Sequence, residues 1–210
     1  MDYATDKQIG DVLKKFGTYR IGRTIYEAPQ PYDAYAWLAL GCRETWLQNI
    51  EGGARLVNGE WVKETDPTRM DVGVFQISRI HQADALKKMK PAVKAGTWSP
   101  YFDDKSAYDG GFCPRFEESV VFMGKEFQLY RDYAKAHGVP STRTFNFAIC
   151  AHNAGAGGAM AGWRDGGTLA DFDRHTSGGD YVSWVRHTMI QVEDWLEAHP
   201  NWLNPIAPTA

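Results

Sequence analysis

Gly41-Cys42-Arg43-Glu44-Thr45-Trp46 closes an almost unbroken apolar run over residues 34–42. A run of this length and composition predicts a buried helix, from about Tyr32 to about Asn49, rather than an amphipathic surface helix. Burial disfavours the charged form of a carboxyl group and raises its pKa, which suits a general acid that works near neutral pH. Glu44 is therefore the first candidate catalytic residue. The alternative is a helix-end glutamate that is solvated or paired with Arg43, which is the commoner situation for a lone glutamate.

Composition limits the classes of function. The chain has 210 residues, of which 43% are hydrophobic, and this predicts one compact domain. A formal net charge of -3 gives no basic field, so nucleic acid is not an expected partner. The first thirty residues contain no continuous apolar segment, so we expect no signal peptide. No apolar stretch is long enough to span a membrane, so we expect no membrane insertion. Three widely spaced cysteines, Cys42, Cys113 and Cys150, predict buried free thiols.

A small sheet should follow the Glu44 helix. Asn58-Gly59 separates two short β-prone runs, which is a strong hairpin signal. A third strand is expected over Gly73–Ile77, with Asp66-Pro67 as a turn and Asp71 directly before that strand. The sheet would then form one wall of a cleft that contains Glu44.

The remaining chain predicts mainly helices. Helices are expected over residues 5–17, 84–94, 115–137, 144–152 and 179–199, with a connector at 18–31 and a long aromatic-rich loop at 95–114. The fold class is α+β, mainly α, with a small antiparallel sheet beside a helical core. Residues 1–31 should form an N-terminal helix and connector, 32–200 the main domain, and 201–210 a tail or the start of a linker.

Four motifs resemble those of goose-type lysozymes, in the same order along the chain. Arg43-Glu44-Thr45 resembles Arg-Glu-Ser, and Gly73-Val74-Phe75-Gln76-Ile77 resembles Gly-Leu-Met-Gln-Val. Ala151-His152-Asn153-Ala154-Gly155-Ala156-Gly157 resembles Ala-Tyr-Asn-Ala-Gly-Ala-Gly, and Asp180-Tyr181 resembles an aspartate-tyrosine pair that opens a late helix. The resemblance spans about residues 32–199 and implies a lysozyme-like fold.

The resemblance also implies an activity. Glu44 would be the general acid that cleaves the β-1,4 bond between N-acetylmuramic acid and N-acetylglucosamine in bacterial peptidoglycan. Gln76 and Asn153 would bind the N-acetyl group, and Tyr181 would stand near Glu44. The other candidate substrate-binding residues are Phe75 and Ser78. Asn153 could instead cap a helix, and Tyr181 could simply pack in the core.

The second carboxylate is left open by the motifs. An inverting glycosidase needs a general base about 6.5–9.5 Å from the acid. Goose-type enzymes have an aspartate just after the Gln-Val strand, where this chain has Ser78. Asp71 and Asp66 are the remaining candidates, and Asp71 is preferred because it directly precedes the strand that should face Glu44. Either aspartate could instead be a turn former.

Two other functions remain possible at this stage. Lytic transglycosylases share the fold implied by the resemblance, use one glutamate as acid and then base, and form 1,6-anhydromuramoyl products. A peptidoglycan- or chitin-binding module, or a phage structural component, could keep the cleft without turnover. The sequence contains no metal-binding pattern, so no metal or cofactor is expected.

The expected setting rests on the resemblance and on the lack of a continuous apolar segment in residues 1–30. We expect a monomer that acts on glycan strands of the cell wall. It would be made in the host cytoplasm without a signal peptide, as a bacteriophage endolysin released through a holin or as a virion-associated lysin.

Overall fold

The computed structural model describes residues 3–49, 51–52, 54–57, 60–64, 66, 69–89 and 114–202. Its helices are α1 (Asp6–Glu27), α2 (Pro31–Thr45), α3 (Ala83–Leu86), α4 (Phe116–Ala136), α5 (Thr144–Arg164), α6 (Leu169–Asp173) and α7 (Tyr181–Ala198), followed by a 3-10 turn over Pro200–Trp202. Its strands are β1 (Glu51–Gly52), β2 (Ala54–Val57), β3 (Glu60–Lys63), β4 (Asp71–Val72) and β5 (Ile77–Ser78). The prediction of a mainly helical α+β chain with a small antiparallel sheet is confirmed.

Helix α2 is the central element. Pro31 occupies the first helical turn, where its missing N–H costs no hydrogen bond, and ten of the helix residues are buried. The helix packs on α1 and α7. It ends at Thr45 rather than near Asn49, because Trp46 takes a left-handed backbone (φ 54°) and its N–H bonds the Cys42 carbonyl. Glu44 therefore lies in the last turn of a buried helix.

The expected connector at 18–31 is wrong, because α1 continues through most of it. Gly17 was the predicted stop, but a single glycine inside a helix costs only about 1 kcal/mol. Fully buried Leu13 and Ile21 lie before and after Gly17, so packing against the core continues along the helix and outweighs that cost.

The strands form two small antiparallel sheets. Strands β2 and β3 pair from Ala54↔Lys63 to Val57↔Glu60, as the hairpin signal predicted, although Asn58 and Gly59 lie outside the described residues. A second sheet has the order β1-β4-β5.

The third strand is not where the sequence placed it. Residues 73–76 form the turn between β4 and β5, with positive φ at Gly73 (83°) and Gln76 (49°). A strand cannot accommodate these left-handed backbones. Asp71 consequently lies inside β4, directly opposite Ser78 of β5, rather than in a turn before a strand.

The helices after the sheet complete the core. α4 and α7 match their predicted ranges closely, whereas α5 runs past His152 to Arg164 with a kink at Gly155 (φ 69°, ψ 169°). The short helix α6 was not predicted. Within the described residues the helix expected at 84–94 shrinks to α3, and residues 90–113 and 203–210, which include Cys113 and most of the expected loop and tail, lie outside the described part.

Two further sequence predictions can be examined in the described residues. Cys42 and Cys150 are free and buried, and burial raises the pKa of each thiol to about 12. No helix among the described residues is both long and apolar enough to cross a membrane.

Gly41 brings α2 into close contact with the turn that follows β4, and its replacement gives a first prediction. A Cβ at Gly41 would meet Leu47 Cδ2 at 2.5 Å and Val74 Cγ1 at 3.0 Å. Gly41→Ala should therefore lower the free energy of unfolding by about 1–3 kcal/mol, the usual cost of overpacking a core. Urea unfolding followed by circular dichroism measures this. Gly157→Ala is the matched control, because a Cβ at Gly157 of α5 meets nothing within 4 Å and should be neutral or stabilising. Equal losses in both variants would contradict the prediction.

Candidate active site

Glu44 is held between two helices. It is half-buried at the end of α2, and the phenol of Tyr181, the first residue of α7, donates a hydrogen bond to Glu44 Oε1. Desolvation raises the pKa of Glu44, and the nearby charge of His152 and the Tyr181 hydrogen bond oppose this rise without cancelling it. A carboxyl group with a raised pKa beside a donor that fixes its orientation has the properties of a general acid.

Arg43 does not serve as the ion-pair partner of Glu44. Its guanidinium donates to Asp180 Oδ1 at 2.7 Å and lies over the Trp184 ring at 5.1 Å. Asp180 is the residue directly before α7. The Arg43–Asp180 pair therefore fixes the start of α7 against the end of α2, which is what brings Tyr181 to Glu44.

Asp71 is the second carboxyl group near Glu44. It is half-buried in β4, its carboxyl accepts a hydrogen bond from the hydroxyl of Ser78, and burial raises its pKa. Its negative charge also raises the pKa of Glu44, so the two carboxyl groups interact. The structure thus brings together the predicted acid and the preferred candidate base, from a helix and from the sheet that follows it.

A cavity of about 500 Å³ lies beside this pair. Its lining residues come from the β4–β5 hairpin, the segment between β5 and α3, and helices α4 and α5, and are Asp71, Gln76, Ser78, His81, Gln82, Tyr130, Ala151, His152, Asn153, Ala154 and Gly155. Glu44 and Tyr181 are not among the residues that line it. Asp71 and His152 do line the cavity, and their charges change the pKa of Glu44. The cavity therefore adjoins the carboxyl pair.

Gln76 and Asn153 both line this cavity. Gln76 Nε2 donates to the Gly73 carbonyl at 3.0 Å, and its amide packs on the backbone of Gly52, where a Cβ would meet Gln76 Oε1 at 2.5 Å. Asn153 Oδ1 accepts from the Ser177 amide at 2.8 Å, in the loop before α7, so this side chain ties two elements together rather than capping α5. Its amide nitrogen is left as the part that can donate to a ligand.

Two other candidates do not contribute side chains to the cavity. Phe75 is 1% exposed and packs against Phe116 in the core, so its ring does not form a binding surface. Strand alternation could not predict whether the Phe75 ring faces the cavity or the core, because Phe75 lies in a turn. Asp66 is exposed after β3, and its amide donates to Glu64 Oε1 at 2.9 Å. Asp71, which lines the cavity, is thereby favoured over Asp66.

His152 and Glu126 were missed as site residues. His152 Nδ1 lies 2.7 Å from Glu126 Oε2, and the side chains are only 6% and 5% exposed. The available signal was the motif itself, where this chain has histidine and the resembling motif has tyrosine.

The ranges that the structure describes contain no group of three or more His, Cys, Asp or Glu side chains positioned to hold a metal ion. The carboxyl pair and the amides can perform acid–base chemistry by themselves.

The raised pKa of Glu44 makes stability depend on pH. A carboxyl group whose pKa is higher in the folded than in the unfolded state stabilises the fold below the unfolded pKa and loses that contribution as pH rises through the folded pKa. Glu44→Gln should therefore raise Tm at pH 7 by about 2–4 °C, the shift that about 1 kcal/mol produces in a chain of this size, and give little change at pH 4. Differential scanning calorimetry at both pH values measures this. Exposed Glu197 on α7 provides the control Glu197→Gln, and an unchanged or lower Tm of Glu44→Gln at pH 7 would contradict the prediction.

Comparisons with known proteins add no family assignment. No protein-family model, curated protein or solved structure matches this chain. The function must therefore be inferred from the site.

Proposed function

We propose that this protein hydrolyses the glycan strands of bacterial peptidoglycan, at the β-1,4 bond between N-acetylmuramic acid and N-acetylglucosamine. One observation carries the proposal: Glu44, fixed by Tyr181 at the end of a buried helix, has a raised pKa and interacts with a second carboxyl group, Asp71, at the edge of a polar cavity. Two carboxyl groups in different environments are what glycoside hydrolysis requires. The proposed fold is lysozyme-like, and the four motifs described above favour this substrate.

The cavity suits an N-acetylated sugar. Its polar lining includes the side-chain amides of Gln76, Gln82 and Asn153 and the hydroxyl group of Ser78. Amides and hydroxyl groups donate to the carbonyl oxygen of an N-acetyl group and accept from its N–H. About 500 Å³ is within the range of small-ligand sites and accommodates a sugar ring with its substituents.

The reaction assigns one role to each carboxyl group. Protonated Glu44 donates its proton to the glycosidic oxygen, and the bond from that oxygen to C1 of N-acetylmuramic acid breaks. Ionised Asp71 takes a proton from a water molecule, whose oxygen forms the new bond to C1. The products are a reducing N-acetylmuramic acid and an N-acetylglucosamine with a free 4-hydroxyl group. Tyr181 orients Glu44 and donates to its carboxylate after the proton has left.

Asp71 can replace the aspartate that the resembling motif has at the position of Ser78. In the resembling motif the aspartate follows the Gln-Val strand, where this chain has Ser78. Asp71 lies directly across the β4–β5 ladder from Ser78 and accepts its hydroxyl hydrogen bond. The Cβ atoms of opposite residues in such a ladder are about 4.5–5.5 Å apart. The carboxylate of Asp71 on β4 can therefore act close to the position of Ser78, where the resembling enzymes have their aspartate.

Lytic transglycosylation is the second candidate, because Ser78 stands where the resembling enzymes have their aspartate. Here Glu44 would protonate the glycosidic oxygen and then, as carboxylate, take the proton of the muramoyl 6-hydroxyl group, whose oxygen attacks C1. No water enters, and the product carries a 1,6-anhydro ring. A bacteriophage endolysin or virion-associated lysin is the setting we propose for either reaction.

Mass spectrometry of glycan fragments tests the proposal. Purified peptidoglycan is incubated with the protein, and the released fragments are analysed with and without borohydride reduction. Reducing N-acetylmuramic acid ends support hydrolysis, whereas 1,6-anhydromuramoyl ends support transglycosylation. Reducing N-acetylglucosamine ends would overturn the assigned bond. The release of no fragments from walls of several chemotypes would overturn the assigned activity.

A further inference from the structure

Glu126 is a buried carboxylate held by three donors. It lies on α4, is 6% exposed, and accepts hydrogen bonds from Tyr130 on its own helix, from Gln82 Nε2 and from His152 Nδ1. A carboxylate with several charge-stabilising donors stays ionised despite its burial. Burying an ionised group is costly unless it is paired, so the negative charge of Glu126 calls for a positive partner.

His152 is that partner. Nδ1 lies 2.7 Å from Glu126 Oε2, and the ring also hydrogen-bonds the backbone of Phe75. A histidine ring that is buried against an ionised carboxylate is stabilised in its protonated, imidazolium form. Burial alone would lower the pKa of His152. The charge and hydrogen bond of Glu126, together with the charge of Glu44, raise it above its ordinary value.

The network also fixes the hairpin that bears Asp71. Gln82 Oε1 accepts from the Ser78 amide at 2.8 Å, while Gln82 Nε2 donates to Glu126. His152 hydrogen-bonds the backbone of Phe75 in the turn between β4 and β5. The turn and the strand that follows it are therefore tied to α4 and α5, through contacts that run from Ser78 to Phe75 by way of Gln82 and the buried Glu126–His152 pair.

We propose that His152 is a positioning residue, held as an imidazolium between Glu126 and the Phe75 carbonyl, which sets the charge balance of the Glu44 and Asp71 carboxyl groups and fixes the β4–β5 hairpin. This inference rests on the proposed function for its effect on turnover. Its structural part, the charged His152, stands independently of it. An imidazolium has no free lone pair, so His152 is not itself a general base.

The charged groups around His152 determine the sign of each effect. Glu126 faces it from α4, Glu44 from α2 and Asp71 from β4, and Tyr181 of α7 reaches Glu44. The Glu126–His152 pair is neutral as a whole. Removing His152 alone leaves the negative charge of Glu126 beside Glu44, which raises the pKa of Glu44. Neutralising Glu126 instead lets His152 lose its proton, so the two side chains together remain neutral.

Nuclear magnetic resonance of the histidine rings tests the charged state. In the native protein the Hε1 resonance of His152, assigned by its absence from His152→Gln, should titrate above the ordinary pKa of 6.5. In Glu126→Gln it should titrate at least about one pH unit lower, because burial then acts without its counter-charge. The matched control is His175→Gln, which removes a histidine–aspartate pair at 2.8 Å with Asp165 on the surface and should leave the His152 titration unchanged. A native His152 that titrates at or below 6.5 would overturn the proposal.

The pH dependence of glycan cleavage tests the effect on the site. In His152→Gln the alkaline limb of kcat/KM, which reports the general acid, should move to higher pH by about 0.5–1 pH unit. In Glu126→Gln the limb should move less, and in His175→Gln it should stay in place. A purely structural role would lower kcat without moving the limb, and that result would overturn the proposal. If the native protein cleaves no glycan, the proposed function fails, while the His152 titration still decides the charged state.

Discussion

Glu44→Gln should reduce the release of glycan fragments by about 10²–10⁴-fold, the range that a general acid contributes. The amide keeps the size of the carboxyl group and can still accept the Tyr181 hydrogen bond, but it has no proton to give to the leaving oxygen. Binding to insoluble peptidoglycan should be nearly unchanged. Fragment release, measured by reducing-end assay and mass spectrometry, and pelleting with the wall measure the two effects separately.

The control for Glu44→Gln is Glu197→Gln, which makes the same chemical change at an exposed position of α7. This control should retain native turnover. Native-like lysis by Glu44→Gln would exclude Glu44 as the acid. If the native protein and Glu44→Gln both bind walls and neither releases fragments, the chain is a peptidoglycan-binding module.

Asp71→Asn should reduce hydrolysis by about 10²–10³-fold, because an amide cannot accept a proton from the attacking water. The substitution keeps an acceptor for the Ser78 hydroxyl group, so the β4–β5 hairpin should remain intact. Burial raises the pKa of Asp71, and a general base must be ionised, so the native acidic limb should lie above the ordinary aspartate pKa of 3.8 and should be lost in the variant. The pH profile of kcat/KM measures both.

The comparison with Asp66→Asn makes this prediction specific. Asp66 is exposed and does not line the cavity, so its variant should turn over at the native rate. Full activity of Asp71→Asn together with 1,6-anhydromuramoyl products would mean that Glu44 acts alone as acid and base, and the enzyme would then be a lytic transglycosylase. Loss of activity in Asp66→Asn and not in Asp71→Asn would reverse the choice between the two aspartates.

Local patterns predicted much of the chain well. The apolar run before Glu44 could only be a buried helix, and α4 and α7 showed apolar positions at helical spacing with clear ends. The hairpin of β2 and β3 followed from Asn-Gly between β-prone runs. The failures were element boundaries and the unpredicted helix α6. Gly17 was read as a helix stop, and residues 73–76 were read as a strand, because packing and left-handed backbones do not show in a pattern of apolar residues.

The candidate site divides in the same way. Glu44, Gln76 and Asn153 could be selected from the sequence, since each stands in a motif with a chemical reason for its residue type. Glu126 could not be selected, because it lies 26 positions from His152 in an ordinary helix and has no motif of its own. Phe75 was selected for its place in a motif, but the side chain points into the core and only its backbone carbonyl takes part.

The sequence by itself determined that this chain is mainly helical, that a buried helix delivers a carboxyl group at its end, and that a small hairpin follows. These properties depend on neighbours along the chain, through periodicity, turn chemistry and the cost of burial. Tertiary structure alone decided that Tyr181 rather than Arg43 holds Glu44, that Asp71 lies opposite Ser78, and that Glu126 contacts His152. Hydrogen bonds and pKa shifts depend on distance in space, and the partners concerned are 7 to 137 residues apart in the chain.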